Sequence, residues 1–354
     1  MPGPRNILVI RPEKLGDLVV TTPVFRALKH SFPGAAITVL TDEVYGEILQ
    51  DDPHVNQVIS VHWRWRWRGQ HEPISSIAGK IRMVGSFDLA LVLYSNWWGW
   101  NAVCALAGIR RVVQIGGTWL GVVLGHKMIR RNAYSRHLHY RDYYLEAAAA
   151  IGAALPESDD RNPRLFLCTQ ELEAFCARFP KPPNSKRVIL HPFGHGSSPN
   201  YSAQSYVQLA LQLASIQNVQ VWLTGGKADL AIWPGIEHPN VYSQWMGSLS
   251  LRELMAACAS ADVVVCGSTG VIHLAAALGT PTVGLFCPHP GSQPLAWGPL
   301  GSRTVNLVVP ERLCRKLGDS NSFCTANQSC DLICGIQLES VIRAVQDIFD
   351  HRTS

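Results

Sequence analysis

The chain has no apolar run approaching the ~20 residues of a membrane-spanning helix. Its first stretch, MPGPRNILVIRPEKLGD, offers only four consecutive apolar residues before Arg11, against the ~7–15 of a signal-peptide core. A cytoplasmic protein is expected, with its ten cysteines mostly reduced. Long basic runs are also missing outside one segment. With a formal net charge of +5 and acidic residues spread throughout, anionic partners are mildly favoured and a dedicated nucleic-acid binder is disfavoured. Cys314, Cys324, Cys330 and Cys334 fall within twenty-one residues. They lack the C-x-x-C pair usual in zinc ribbons, so plain thiols are expected there and no metal is assigned. Cys104, Cys168, Cys176, Cys258, Cys266 and Cys287 sit in apolar or helical contexts and are expected in the core.

What is present is enough for two globular domains: 354 residues, 47% of them hydrophobic. RNILVIRPEKLGD at residue 5 and KRVILHPFGHG at residue 186 open in the same way, a charged residue, an apolar strand and a loop. After the first come VFRALKHSF (helix), AAITVLT (strand), EVYGEILQ (helix), QVISV and FDLALVLY (strands). After the second come SYVQLALQLAS, VQVWLTGG, a short helix from Ala228, LRELMAACAS, ADVVVCGSTG, VIHLAAALG and PTVGLF. Alternating strands and helices predict parallel sheets. The proline-rich FPKPPNSK marks a linker over 179–186, between an N-terminal domain (1–178) and a C-terminal one (187–354). The architecture expected is α/β, two doubly wound Rossmann-like domains facing an interdomain cleft. Ligands in such sheets bind at the carboxyl ends of the strands, here the loops LGD, HPFGHG, TGG and GSTG.

Two of those loops carry chemistry. In ADVVVCGSTGVIHLAAALG, a strand over Asp262 to Cys266 turns at Gly267 to Gly270 into a helix over Val271 to Leu278. Ser268 or Thr269 can simply cap that helix. The free N–H groups of its first turn, flanked by small side chains, equally suit a diphosphate. In RPEKLGDLVVTTPVFRALKH, Asp17 follows a glycine and precedes an apolar helical run. It is either an N-cap or a carboxylate, stabilised by the helix terminus, that accepts a proton from a group becoming acidic in the transition state.

HWRWRWRG (His62 to Gly69) alternates three tryptophans with three arginines, placing rings and guanidinium groups on opposite sides of an extended chain. It is open to three uses: a nucleic-acid strip, a membrane-surface contact, or a site for an anionic amphiphile. An edge strand whose tryptophans pack on the next helix is the structural alternative. NWWGW (Asn96 to Trp100) follows the FDLALVLY strand and suits either core packing or platforms for sugar rings.

RPEKLGDLVVTTPVFRALKHSFP, VWLTGGKAD, SLSLRELMAACASADVVVCGSTGVIHLAAALGTPTVGLF and WGPLG, in this order over nearly the whole chain, resemble glycosyltransferase family nine, the ADP-heptose:lipopolysaccharide heptosyltransferases. The resemblance implies a glycosyltransferase B fold. It implies inverting transfer without a metal or other cofactor, with a nucleotide sugar, expected to be ADP-heptose, as substrate. The donor would lie on the C-terminal domain and a lipopolysaccharide inner-core or related lipid-linked acceptor on the N-terminal one. By position Asp17 becomes the catalytic base. Ser268, Thr269, Gly270 and His273 fall in the diphosphate and sugar loop, Thr224, Gly225, Gly226 and Lys227 lie near the nucleotide, and His191, Gly194, His195 and Gly196 line the facing wall.

Two departures stand out. Ser268 replaces an Asp common in the family, and Pro199, Asn200 and Tyr201 replace a Lys-x-Trp pattern. Leaving-group charge would then fall to backbone amides, Lys227 or His195. For an acceptor at the inner face of the cytoplasmic membrane, Arg64, Arg66 and Arg68 suit phosphates, and Trp63, Trp65 and Trp67 suit the headgroup boundary. A nucleic-acid partner is not expected. The amphipathic LESVIRAVQDIF finishes the chain, a helix that in this fold often crosses back to the first domain. Two other functions are compatible with such a fold: a sugar-nucleotide epimerase and a non-catalytic nucleotide-sugar-binding homologue.

Overall fold

The computed structural model describes residues 3–63, 72–94, 97–129, 138–194, 198–231, 233, 241–289, 291–301, 303–314 and 331–350. The chain divides into two compact units, Met1–Phe166 and Leu167–Ser354. Each is built around one parallel six-stranded sheet.

In the first unit the strands are β1 (Asn6–Ile10), β2 (Ala36–Asp42), β3 (Gln57–Val61), β4 (Leu89–Val92), β5 (Val112–Ile115) and β6 (Lys127–Ile129). Its helices are α1 (Leu15–Ser31), α2 (Ile74–Val84), α3 (Gly99–Leu106), α4 (Trp119–Val123) and α5 (Tyr140–Ala149). The strand order is β3-β2-β1-β4-β5-β6. Ile7, Leu8, Val9 and Ile10 are all fully buried, as a central parallel strand covered on both faces requires. Pro23 lies inside α1, where it cannot donate to Val19; the Thr22 hydroxyl donates to that carbonyl instead, at 2.9 Å. EVYGEILQ does not form the expected α-helix: only Gly46–Leu49 turns, as a short 3-10 segment. The Asp42 carboxylate takes the Val44 N–H at 2.9 Å and diverts the backbone into a turn.

The second unit contains α6 (Thr169–Arg178), β7 (Lys186–His191), α7 (Ala203–Ala214), β8 (Val219–Gly225), β9 (Tyr242–Met246), α8 (Leu251–Ser260), β10 (Val263–Gly267), α9 (Gly270–Ala277), β11 (Thr282–Phe286), α10 (Pro294–Trp297), β12 (Thr304–Val308) and α11 (Leu338–Asp350). The order β12-β11-β10-β7-β8-β9 repeats the pattern of the first sheet. The division falls before α6, earlier than the expected linker at 179–186. Phe179 packs edge-on to Trp222 and Trp245, with ring centroids 5.8 and 4.8 Å apart. Its carbonyl accepts from the buried Arg187 guanidinium at 2.9 Å, and that guanidinium lies 4.0 Å from the Trp222 ring centroid. Phe179 is therefore packed on the second unit, while residues 180–184 are exposed. The terminal helix α11 buries Leu338, Val341, Ala344, Val345 and Ile348 in that unit's core, and Arg303 donates to the Ile348 carbonyl at 2.8 Å. Among the described residues, no helix is long and apolar enough to cross a membrane.

Cys104, Cys258, Cys266 and Cys287 are buried as expected, but Cys168 is only partly so and Cys176 is exposed. Both belong to α6 or its N-cap, where Phe175 is the buried residue of the helix.

Candidate active site

Each sheet has a switch point, β1 beside β4 in the first and β7 beside β10 in the second, where the connections diverge and open a crevice at the carboxyl ends. In the first unit, β1 ends at Ile10 and the loop Arg11-Pro12-Glu13-Lys14 leads into α1. Lys14 is the N-cap, so Asp17 is not a cap but the acidic residue of the first turn, a position the helix dipole favours. Arg11 is 2% exposed and holds the loop together. Its Nη1 donates to the Leu93 carbonyl just past β4 and pairs with Glu13 at 2.5 Å. Its Nη2 pairs with the Asp17 carboxylate and meets the Tyr144 hydroxyl at 2.6 Å. Tyr144 comes from α5, which packs along α1, and its ring centroid is 4.5 Å from the guanidinium carbon.

The charges in this cluster are unequal. Burial pushes the Glu13 carboxyl up to about 7, opposed by Arg11 and reinforced by Asp17. Burial also drives the Tyr144 phenol well above its ordinary range, so it stays a neutral hydrogen-bond donor. The contacts of Asp17 with Arg11 and Tyr144 both fall on Oδ1, the latter at 3.5 Å. Its side chain is 17% exposed. The carboxylate is thus oriented through Oδ1.

The second unit gathers small and polar groups at its own switch point. His191 closes β7, with Nδ1 3.0 Å from the Thr224 hydroxyl near the end of β8, and both residues are buried. Gly225 and Gly226 continue from Thr224, and the Gly226 N–H donates to buried Asp229 at 2.6 Å. Lys227 is exposed. After β10, Thr269 is the N-cap of α9 but makes no side-chain capping bond; its hydroxyl lies 3.7 Å from the Cys266 sulfur. Side-chain capping by Thr269 therefore does not account for the first-turn N–H groups that begin at Gly270. The Ser268 carbonyl accepts from Ser198 at 3.0 Å. His273, one turn into α9, is buried against Trp297 at 6.1 Å between ring centroids. Gly194 continues the loop after β7; His195 and Gly196 lie outside the described residues.

Asn200 stands within the Pro199–Tyr201 stretch that departs from the family's lysine pattern. It ties the β7 loop down by donating to the Pro192 carbonyl at 2.7 Å and accepting from Tyr206 at 2.8 Å. A Cβ on Gly267 would lie 2.7 Å from the Asn200 oxygen, so the bare backbone at the end of β10 is what lets this amide sit there.

Trp63 is a core side chain, not an acceptor contact. It is 6% exposed, with ring centroids 4.8 and 4.9 Å from those of Trp97 and Trp100. These edge-on and tilted ring contacts favour burial over a solvent-facing position. Arg64, Trp65, Arg66, Trp67 and Arg68 lie outside the described residues. Of NWWGW, Trp100 is fully buried and Trp98 is 46% exposed. Among the described residues no three His, Cys, Asp or Glu side chains come together as a metal site. Cys314 and Cys334 are free thiols, and Cys324 and Cys330 lie outside the described residues.

Sequence reasoning singled out Asp17 and the 268–273 loop as candidates but not Arg11, Glu13 and Tyr144, which gather around Asp17 and its loop. A signal for Arg11 was present: a charged residue directly continuing a fully apolar central strand must find a buried partner.

Paired parallel sheets of this order, each with polar groups at its switch point, define the glycosyltransferase B fold. The chain belongs to glycosyltransferase family 9 (heptosyltransferase), whose model matches residues 120–324, and is accordingly a glycosyltransferase. It is 25% identical to lipopolysaccharide heptosyltransferase 2 of Salmonella typhimurium over 89% of this chain and 91% of that protein. It is 22% identical to the lipopolysaccharide core heptosyltransferase OpsX of Haemophilus influenzae over 96% of each. The solved structure of Escherichia coli ADP-heptose lps heptosyltransferase II superposes with a TM-score of 0.76 at 21% identity, covering 99% of this chain and all of that one.

Proposed function

We propose that this protein transfers heptose, or a related sugar, from ADP-heptose or a similar nucleoside diphosphate donor to a lipopolysaccharide core acceptor. Transfer inverts the anomeric centre and uses no metal ion or other cofactor. The observation that carries the proposal is the Asp17 carboxylate, anchored through Oδ1 by Arg11 and Tyr144 and partly open to solvent. As the acceptor hydroxyl oxygen attacks the anomeric carbon, its proton passes to Asp17 Oδ2 and the bond from that carbon to the diphosphate oxygen breaks on the opposite face. The departing diphosphate takes the bonding electrons. Backbone N–H groups at the start of α9, beside Ser268, Thr269 and Gly270, suit its charge. His191, Thr224 and the glycines after it are the proposed nucleotide contacts. The named substrates of the relatives, ADP-heptose and lipopolysaccharide, support this choice of donor and acceptor.

The protein is proposed to work in the cytoplasm, peripherally at the inner face of the cytoplasmic membrane, with Arg64, Arg66 and Arg68 meeting acceptor phosphates and Trp65 and Trp67 beside them. The test is a panel of nucleotide sugars. The donor is the one that raises the melting temperature, and transfer is then measured onto a heptose-deficient lipopolysaccharide core. Consumption of a nucleotide sugar without any acceptor would indicate an epimerase, and binding without turnover a non-catalytic homologue. Replacing the three arginines with Ala is expected to raise the KM for the phosphorylated acceptor and leave donor affinity unchanged.

A further inference from the structure

α4 is a five-residue helix three of whose apolar side chains point outward. Trp119 is 67%, Val122 65% and Val123 72% exposed, and Leu124, which ends it, 39%. Four large apolar side chains on so short a stretch form a patch of the kind that marks an interaction site. Nor is the helix loosely held. Gly121 is its buried residue, and a Cβ there would meet Asn101 of α3 at 3.1 Å. Asn101 is fully buried. It accepts from Thr118 at 2.6 Å at the start of α4, and its Nδ2 lies 2.8 Å from His126 Nδ1 just beyond the helix end and 2.7 Å from Gln114 Oε1 on β5. Thr118 also caps α4 through the Gly121 N–H at 3.0 Å. A buried amide thus clamps both ends of the helix and leaves its apolar face outward. Trp98, 46% exposed, lies one helical turn before Asn101.

The chain on either side of α4 carries charge of one sign. Between Asp88 and Asp142 the chain carries no acidic residue and seven lysines or arginines. Of these, Arg110, Arg111 and Lys127 are exposed on the segments that flank α4, and Arg130, Arg131 and Arg136 lie outside the described residues.

We propose that α4 is a membrane-docking element whose partner is an anionic lipid bilayer surface. Tryptophan prefers the headgroup boundary, the valines and Leu124 enter the outer acyl region, and the surrounding cations draw the face to negatively charged lipid. A second copy of the chain is the poorer occupant. One short helix falls far below the ~20–30 residues a side of a stable protein interface, and like-charged flanks repel across a twofold axis. The inference deepens the membrane part of the proposed function and rests on that part alone.

The test is co-sedimentation with vesicles of phosphatidylcholine alone or with about a quarter phosphatidylglycerol. The parent is expected to bind the phosphatidylglycerol vesicles, less so as salt is raised. Trp119→Ala/Val122→Ser/Val123→Ser is expected to lose binding by about tenfold or more while melting as the parent does, because these side chains face away from the core. Val123→Asp alone serves as a second probe. Equal binding by parent and variants, or no binding by the parent, overturns the proposal. So does a parental dimer in ultracentrifugation that the triple variant dissolves, which would seat a second copy on α4. If Arg64→Ala/Arg66→Ala/Arg68→Ala abolishes vesicle binding while the α4 variants bind normally, docking belongs to that segment and not to α4. Transfer to a soluble, delipidated core acceptor is expected to survive in the α4 variants. Its loss in the parent as well would strike the proposed function rather than the docking surface.

Discussion

Arg11 and Asp17, six residues apart across the β1–α1 loop, form an ion pair in which the arginine is almost wholly buried and the aspartate reaches solvent. The same guanidinium bonds the Leu93 carbonyl at the end of β4, so the orientation of the carboxylate is tied to the switch point of the sheet. A helix cap would need none of this, since the cap position belongs to Lys14.

Asp17→Asn keeps an oxygen that can accept from Arg11 but removes the ability to take a proton and the charge paired with the guanidinium, which Glu13 still faces. Its kcat is expected to fall by about 10²- to 10⁴-fold, with melting within a few degrees of the parent and unchanged nucleotide-sugar binding. Steady-state kinetics and thermal melts check this. A variant retaining more than about a tenth of parental kcat would leave the enzyme without an identified base.

Glu13 makes stability depend on pH. Burial raises its folded-state pKa to about 7, above the ~4.3 of an unfolded glutamate. The contribution is therefore fully present below the unfolded value and is lost as pH rises through about 7. Denaturant unfolding of the parent at pH 5 and pH 8 is expected to reveal a loss on the order of 1–3 kcal/mol toward the higher pH. In Glu13→Gln that slope should flatten. An equally steep slope in the variant would assign the pH dependence to another group.

Gly267→Ala is expected to destabilise the second unit. The new methyl carbon would lie 2.7 Å from the Asn200 oxygen, and that amide is pinned by Tyr206 and by the Pro192 carbonyl. Displacing it breaks part-buried hydrogen bonds, at a cost of about 1–3 kcal/mol. Unchanged denaturation midpoints would mean that the loop after β7 yields freely.

If the N–H groups of α9 carry the diphosphate as proposed, turnover is expected to persist in excess chelator. Loss of activity restored by added magnesium or manganese would show that a divalent ion carries the leaving-group charge.

Much of this protein could be read along the chain. Two apolar strands opening alike, followed by alternating helical and extended patterns, determined two parallel doubly wound sheets, because hydrophobic periodicity is local. Glycines and small polar residues after VVVCG marked the start of α9 for the same reason, since turn and cap chemistry acts over a few residues. The tertiary structure decided what depends on distant partners. Phe179 reads as part of a proline-rich linker until Trp222, Trp245 and Arg187 enclose it. Trp63 reads as the first of three alternating tryptophans, yet Trp97 and Trp100 draw it into the core. Arg11 continues an apolar strand, but Glu13 looks like a solvated loop charge, and Tyr144 lies on a helix far along the chain. Only folding places the three together, and burial, which shifts a proton equilibrium according to all that surrounds the group, cannot be read from the residue's neighbours in sequence.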